Sequence, residues 1–304
     1  MKIKQILLAT FLVLISFIAA DKAQAQVSNS IDSNKVYVII KNDGSEFIGK
    51  IISSDMREVV METQKLGAIA IPKHEIKIMK LLQNGDLGTA GSFVPNEPFA
   101  TRYFITTNGL PIAKGESYIT YNLFGPDIQY GLADNLGVGV ITSWIGSPII
   151  FTTKYSFEID KNVNGAVGLL AGTGGWASSF GLAIPYGSIT LGNRKSNITG
   201  SLGYGTIWGN ENNGGGRTIV SIAAMHKISK SISLVFDSFI LPTTKTDIDP
   251  FDNKEYKNYF ALLLPGFRFQ TSETGAFQFG FAGMSFEGET FAVPFPYIQW
   301  FRKF

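Results

Sequence analysis

The stretch SPIIFTTKYSFEID, residues 147–160, puts Ile149, Phe151, Tyr155, Phe157 and Ile159 on one face of an extended chain and Thr152, Lys154, Ser156 and Glu158 on the other. Successive side chains of a strand point to opposite faces, so the segment has a greasy side and a wet side. The same period of two returns in SNITGSLGYGTIW, where Ile198, Leu202, Tyr204 and Trp208 oppose Thr199, Ser201, Gly203 and Gly205. It returns again in GAFQFGFAG, with Phe277, Phe279 and Phe281 against Gln278, Gly280 and Ala282. From Glu116 onward the chain repeats this plan of strand, connection and strand, which fixes an all-β class. The physical question is what covers so many apolar faces. Two packed sheets would bury them against each other, as in a soluble sandwich. A closed barrel in lipid would leave them facing acyl chains and would also abolish the edges at which such strands aggregate.

The connections favour the barrel. Those at 133–135, 160–162, 192–196, 228–230 and 271–274 are short, and between them fall connections that include the longer 209–217 and 241–257. Short turns at one end and longer loops at the other are the transmembrane-barrel arrangement. Strands at 115–123, 127–133, 136–146, 148–158, 163–172, 176–191, 197–208, 217–228, 231–241, 258–270, 275–286 and 292–304 make an antiparallel barrel of about twelve, with ten as the fallback if the first pair fails. In that order Trp144, Trp176 and Trp208 fall at the outer strand ends and Trp300 at the inner end, as an interfacial aromatic girdle requires. Only 16% of the 304 residues are charged, while Gly numbers 33 and Phe 24. A soluble domain carries roughly 25% charged residues.

Ahead of the barrel the chain has three parts. Lys2 and Lys4, the apolar run from Ile6 to Ala20, and Ala23-Gln24-Ala25 form a signal peptide, residues 1–25, with cleavage expected after Ala25. Its apolar run is shorter than the roughly 20 residues that span a bilayer. There is no cysteine, which excludes a lipid-modified anchor and any disulfide framework. Removing the signal leaves equal numbers of basic and acidic residues, so no electrostatic footprint for nucleic acid remains. Residues 34–82 read as five short strands, the first two around Asn42-Asp43-Gly44-Ser45, where Asp-Gly is a hairpin signal. Residues 83–114, rich in Gly, Asn and Pro, read as a linker, within which ATRYFITT (100–107) is open to a short strand or a plug.

Candidate chemistry is sparse. Lys154, Glu158 and Asp237 are the charged residues assigned to the lumen, where they would set ion selectivity or pair with each other. His226, with Ser221 and Ser229 near it, is the one barrel histidine from which a lipid-active dyad could be written, but it falls beside an inner turn, the wrong end for such chemistry. Asp247, Asp249, Asp252 and Glu255 cluster in one outer loop without the calcium-loop spacing. His74 lies on a polar turn of the small domain. The expectation is therefore no enzyme, no cofactor and no metal.

The pattern DG, GKI, VVMET, G-x-IAIP, IKIMK over residues 34–82 resembles the Sm-like and SH3-like small barrels, and the resemblance implies a five-stranded barrel but no ligand. RNA binding is not expected of it, behind a signal peptide and with eight basic against six acidic residues. The whole resembles the outer-membrane barrel proteins of Bacteroidota-type bacteria. In such barrels the last strand ends on an aromatic residue with apolar residues at alternate positions, read by the barrel-assembly machinery; here Ile298, Trp300 and Phe304 fit and Arg302 departs. The function expected is an outer-membrane barrel in contact with lipid, either a porin-like passive channel or a structural barrel whose periplasmic module, 34–82, binds a protein or cell-wall partner. The alternatives are a soluble periplasmic β-rich scaffold and, last, a lipid-active barrel enzyme.

Overall fold

The computed structural model describes residues 32–82, 87, 93, 95–176, 180–209, 214–248, 255–286 and 289–304. The expected signal peptide, 1–25, lies outside them. The chain divides into two units, Met1–Gly85 and Asp86–Phe304, each with its own core.

The first unit is an antiparallel sheet of strands β1 (Val36–Lys41), β2 (Glu46–Ser54), β3 (Glu58–Thr63), β4 (Gly67–Pro72) and β5 (Ile76–Leu81). Gly44 takes the positive φ of 85° that the β1–β2 turn needs, and Asp43 Oδ1 accepts the Ser45 amide at 2.8 Å. Ile39, Ile51, Val59, Met61 and Ile71 form its core. The strand order is β4-β3-β2-β1-β5: after one 3₁₀ turn at Lys73–Glu75, β5 crosses to pair with β1 rather than β4. The outer edges of β4 and β5 have no ladder partner among the described residues.

The second unit is a closed antiparallel barrel of twelve strands. They are β6 (Ser117–Asn122), β7 (Pro126–Ala133), β8 (Leu136–Thr142), β9 (Ile149–Asp160), β10 (Val163–Thr173), β11 (Phe180–Gly192), β12 (Ser196–Gly209), β13 (Gly214–Lys227), β14 (Ile232–Ile248), β15 (Glu255–Gln270), β16 (Gly275–Phe286) and β17 (Glu289–Lys303). Neighbours in sequence are neighbours in the sheet, and β17 closes on β6 through five pairs from Gln299↔Asn122 to Lys303↔Tyr118. We call the end where β6 begins and β17 finishes the near end. A single closed sheet replaces the alternative of two packed sheets.

The alternation runs as the sequence indicates. Phe151, Tyr155, Phe157 and Ile159 stand exposed on the outside of β9, while Thr152, Lys154 and Ser156 are buried inside. The same inversion of a soluble protein holds for Ile198, Leu202 and Tyr204 on β12 and for Phe267 and Phe269 on β15. Two long connections are shorter than expected, because β13 already starts at Gly214, β14 runs on to Ile248 and β15 starts at Glu255. Paired strands in a closed sheet keep their ladder going past the point where the apolar pattern ends, since an unpaired backbone group is costly.

Candidate functional site: a barrel interior filled by residues 97–113

The segment that reads as a linker, with 100–107 open to a short strand or a plug, runs inside the barrel. Phe99, Ala100, Tyr103, Phe104, Leu110 and Ile112 are buried, and the core of the barrel is built on them. Phe99 packs on Tyr118 and Phe301 with ring centroids 5.8 and 5.1 Å away, and Phe104 meets Tyr297 edge-on at 5.8 Å. The chain enters from the near end, turns at residues 102–107 with Tyr103 N donating to Thr106 O at 3.1 Å, and returns to the near end to begin β6.

The wall is shaped to receive it. Gly266 and Gly280 face each other across β15 and β16. A Cβ at either position would lie 2.6 or 2.5 Å from the tip of the Phe104 ring, so only glycine lets the aromatic seat on the wall.

Polar groups then fix the segment strand by strand. Arg268 on β15 is fully buried, with Nε donating to Gln278 Oε1 at 2.6 Å and its two terminal nitrogens to Phe99 O at 2.7 Å and Arg102 O at 2.6 Å. Gln278 and Gln299 continue the row across β16 and β17: Gln278 Nε2 donates to Gln299 Oε1 at 3.0 Å, and Gln299 Nε2 to Phe104 O at 2.7 Å. Asp237 on β14 accepts the amides of Ile105 at 2.7 Å and Thr106 at 2.9 Å, and the Thr106 hydroxyl at 2.6 Å. Lys154 on β9 donates to Leu110 O at 2.9 Å, Asn108 O at 3.1 Å and Thr107 Oγ1 at 3.3 Å. Arg102 pairs with Asp127 on β7. The Tyr103 hydroxyl reaches Asn197 and Thr199 on β12, and Glu97 takes bonds from Lys227 on β13 at 3.3 Å and Ser233 on β14 at 2.9 Å. A backbone with no sheet partners must find its hydrogen bonds elsewhere, and these side chains supply them.

The segment leaves through Glu116, which precedes β6. Its carboxylate binds Arg194 of the β11–β12 turn at 2.9 Å and Lys303 at the end of β17 at 2.9 Å, and it accepts the Ala113 amide at 3.1 Å. Burial opposes its ionisation, but the two cations outweigh burial and hold the group at about 2, below its ordinary 4.5. A depressed carboxylate stabilises the fold above its unfolded pKa, and that contribution is lost as pH falls through the folded one. Barrel stability is therefore expected to drop between pH 4.5 and 2, and Glu116→Gln to flatten that drop, read as the pH dependence of the temperature at which the folded gel band converts to the unfolded one.

Of the residues singled out in the sequence, Lys154 and Asp237 face inward and bond to the inserted segment, whereas Glu158 is exposed near the near end of β9. Trp144 and Trp176 lie in far-end connections and Trp208 near the far end of β12, while Trp300 lies near the near end of β17; all four are exposed. Trp144 Nε1 donates to Asn122 O and Leu123 O at 3.1 Å each. Ile298 and Trp300 point outward, and the Ser117 hydroxyl donates to Phe304 O. His226 is exposed and bonds Ser196 Oγ at 3.0 Å, while Ser221 is buried on the opposite face of β13, so these two do not pair. The side chains of Asp247, Asp249, Asp252 and Glu255 lie outside the described residues. Sequence reasoning placed Gln278 on the wet face without its partners and missed Arg268, Gln299 and Glu97. The legible signal was a lone Arg between Phe267 and Phe269, on the same face as Gly266 and Gln270.

No family model matches the chain, and no curated protein matches it. Among solved structures the chain is similar to "Outer-membrane expressed OmpT of Vibrio cholerae", with a TM-score of 0.33 and 9% identity over 89% of this chain and 95% of that one. At that distance the likeness carries no argument, and the barrel fold rests on the strand pairing itself. The expectation that the chain is no enzyme is nevertheless withdrawn. It rested on an absent motif, which excludes no activity, and the interior gathers ionisable side chains from distant positions.

Proposed function

We propose that the chain is an outer-membrane barrel held shut by its own inserted segment, exported by the signal peptide 1–25 and carrying residues 34–82 as a periplasmic interaction module of Sm-like or SH3-like kind. The observation that carries the closed reading is charge placement. Asp127, Lys154, Lys227, Asp237 and Arg268, the buried charged side chains of the strands among the described residues, all bond to residues 97–110. A standing porin would aim such groups at water and permeant ions. The lipid setting is supported by the outward aromatic and aliphatic side chains, which form an apolar surface far larger than a soluble monomer exposes. Ile298, Trp300 and Phe304 would serve as the signal for the barrel-assembly machinery, as in the Bacteroidota-type barrels that the sequence resembles.

The test is conductance in planar bilayers, preceded by outer-membrane fractionation and heat-modifiable gel mobility. The whole chain is expected to give no steady current, and a chain lacking residues 97–110 to give open-pore steps. A whole chain that conducts steadily would mean a porin-like channel instead.

A further inference from the structure

On the far side of the inserted segment the barrel keeps a cavity of about 140 Å³. Its level is visible on β12, where Ser201 and Gly203 line it one step beyond the Asn197 and Thr199 that hold Tyr103. Ile105, Ile112, Leu170, Ile184, Ile219 and Phe239 give it apolar walls, and Arg102, Lys154, Tyr186 and Ser221 bring polar groups to it.

Two of those groups lack what their chemistry calls for. Ser221 Oγ is buried with no hydrogen-bond partner. Lys154 is buried, and its ammonium is bonded only to neutral acceptors, with no carboxylate paired to it among the described residues. Arg102, which lines the same cavity, already has Asp127. A buried cation without a counter-ion and a buried hydroxyl without a partner are both costly. One monoanion would relieve both. The apolar walls require that its remaining atoms be hydrocarbon, and an apolar cavity of about 150 Å³ is known to hold a benzene-sized body.

We propose that this cavity binds a small monocarboxylate with an aromatic or short alkyl body, with Lys154 as its counter-ion and the Ser221 hydroxyl as a donor. The proposal rests on the segment residing in the lumen, and it adds a ligand to the closed barrel. It also gives Lys154 a role beyond holding the segment.

The test is titration calorimetry on the full chain refolded in detergent, with sodium benzoate and sodium hexanoate as the acids and benzyl alcohol as the neutral counterpart. Saturable benzoate binding is expected, about tenfold or more tighter than benzyl alcohol, and weakened by about tenfold or more in Lys154→Met. Because Lys154 also holds the segment, Ser221→Phe provides a second variant, which fills the cavity while removing no bond to the segment. It is expected to abolish binding and to keep the heat-modifiable band. Absence of saturable binding by both acids to the folded barrel, undiminished binding by Ser221→Phe, or benzyl alcohol binding as tightly as benzoate would each overturn the proposal. A whole chain that conducts in bilayers would instead overturn the closed reading, whereas a non-conducting chain that binds neither acid would overturn the ligand alone.

Discussion

Arg268→Leu is expected to destabilise the barrel by about 3–5 kcal/mol, the cost of removing one member of a buried charged network. The substitution leaves Phe99 O and Arg102 O without their donor, and leaves Glu97 with Lys227 as its remaining cation. It also removes the guanidinium that lies 4.5 Å from the centre of the Phe301 ring. Lysine should not rescue the loss, because a point ammonium cannot reach the two carbonyls and Gln278 Oε1 at once as a planar fork does. Urea denaturation in detergent micelles, followed by the folded gel band, measures the change. An unaltered midpoint would mean that the segment is held without Arg268.

Asp237→Ala should have the second largest effect, and a more local one. Its carboxylate takes three bonds from the hairpin tip, so its loss is expected to cost about 3 kcal/mol and to speed amide exchange at Ile105 and Thr106 by about a hundredfold. Asp237→Asn, which keeps an acceptor oxygen without the charge, should fall between the wild type and alanine. Exchange measured residue by residue separates this from Arg268→Leu, which should loosen Phe99 and Arg102 instead. If the Ile105 and Thr106 amides exchange no faster in Asp237→Ala, the tip is held by packing alone.

The wall of the barrel was legible in the sequence because lipid-facing and interior positions differ sharply in chemistry and alternate strictly, as Phe267-Arg268-Phe269 does on one strand. The filling was legible only as one of two options for residues 100–107, a short strand or a plug. Residues 97–113 have neither a period of two nor of 3.6, since each side chain meets a different wall strand, and their Gly, Asn and Pro content reads as connection. Lys154 and Asp237 could be placed on the inner face, but not their partners, which lie 44 and 131 residues away in the nearest hydrogen-bonded pairs. Seating of Phe104 on Gly266 and Gly280 is invisible for the same reason: the sequence shows two glycines in strands, and only the fold shows the ring above them.

Both ends of the inserted segment lie at the near end of the barrel, and this decides how it would respond to force. A pull on the chain ahead of Glu97 would load its contacts one after another rather than together: first Glu97 with Lys227 and Ser233, then the carbonyls held by Arg268, then the tip held by Asp237. Contacts broken in series yield at a tension set by the strongest single step, whereas contacts sheared in parallel resist with their sum. On the other side, Glu116 with Arg194 and Lys303 ties the exit to the wall. The segment would thus peel out from its leading end like a zip fastened at the far stop, and could lie back along the same path when the tension ends.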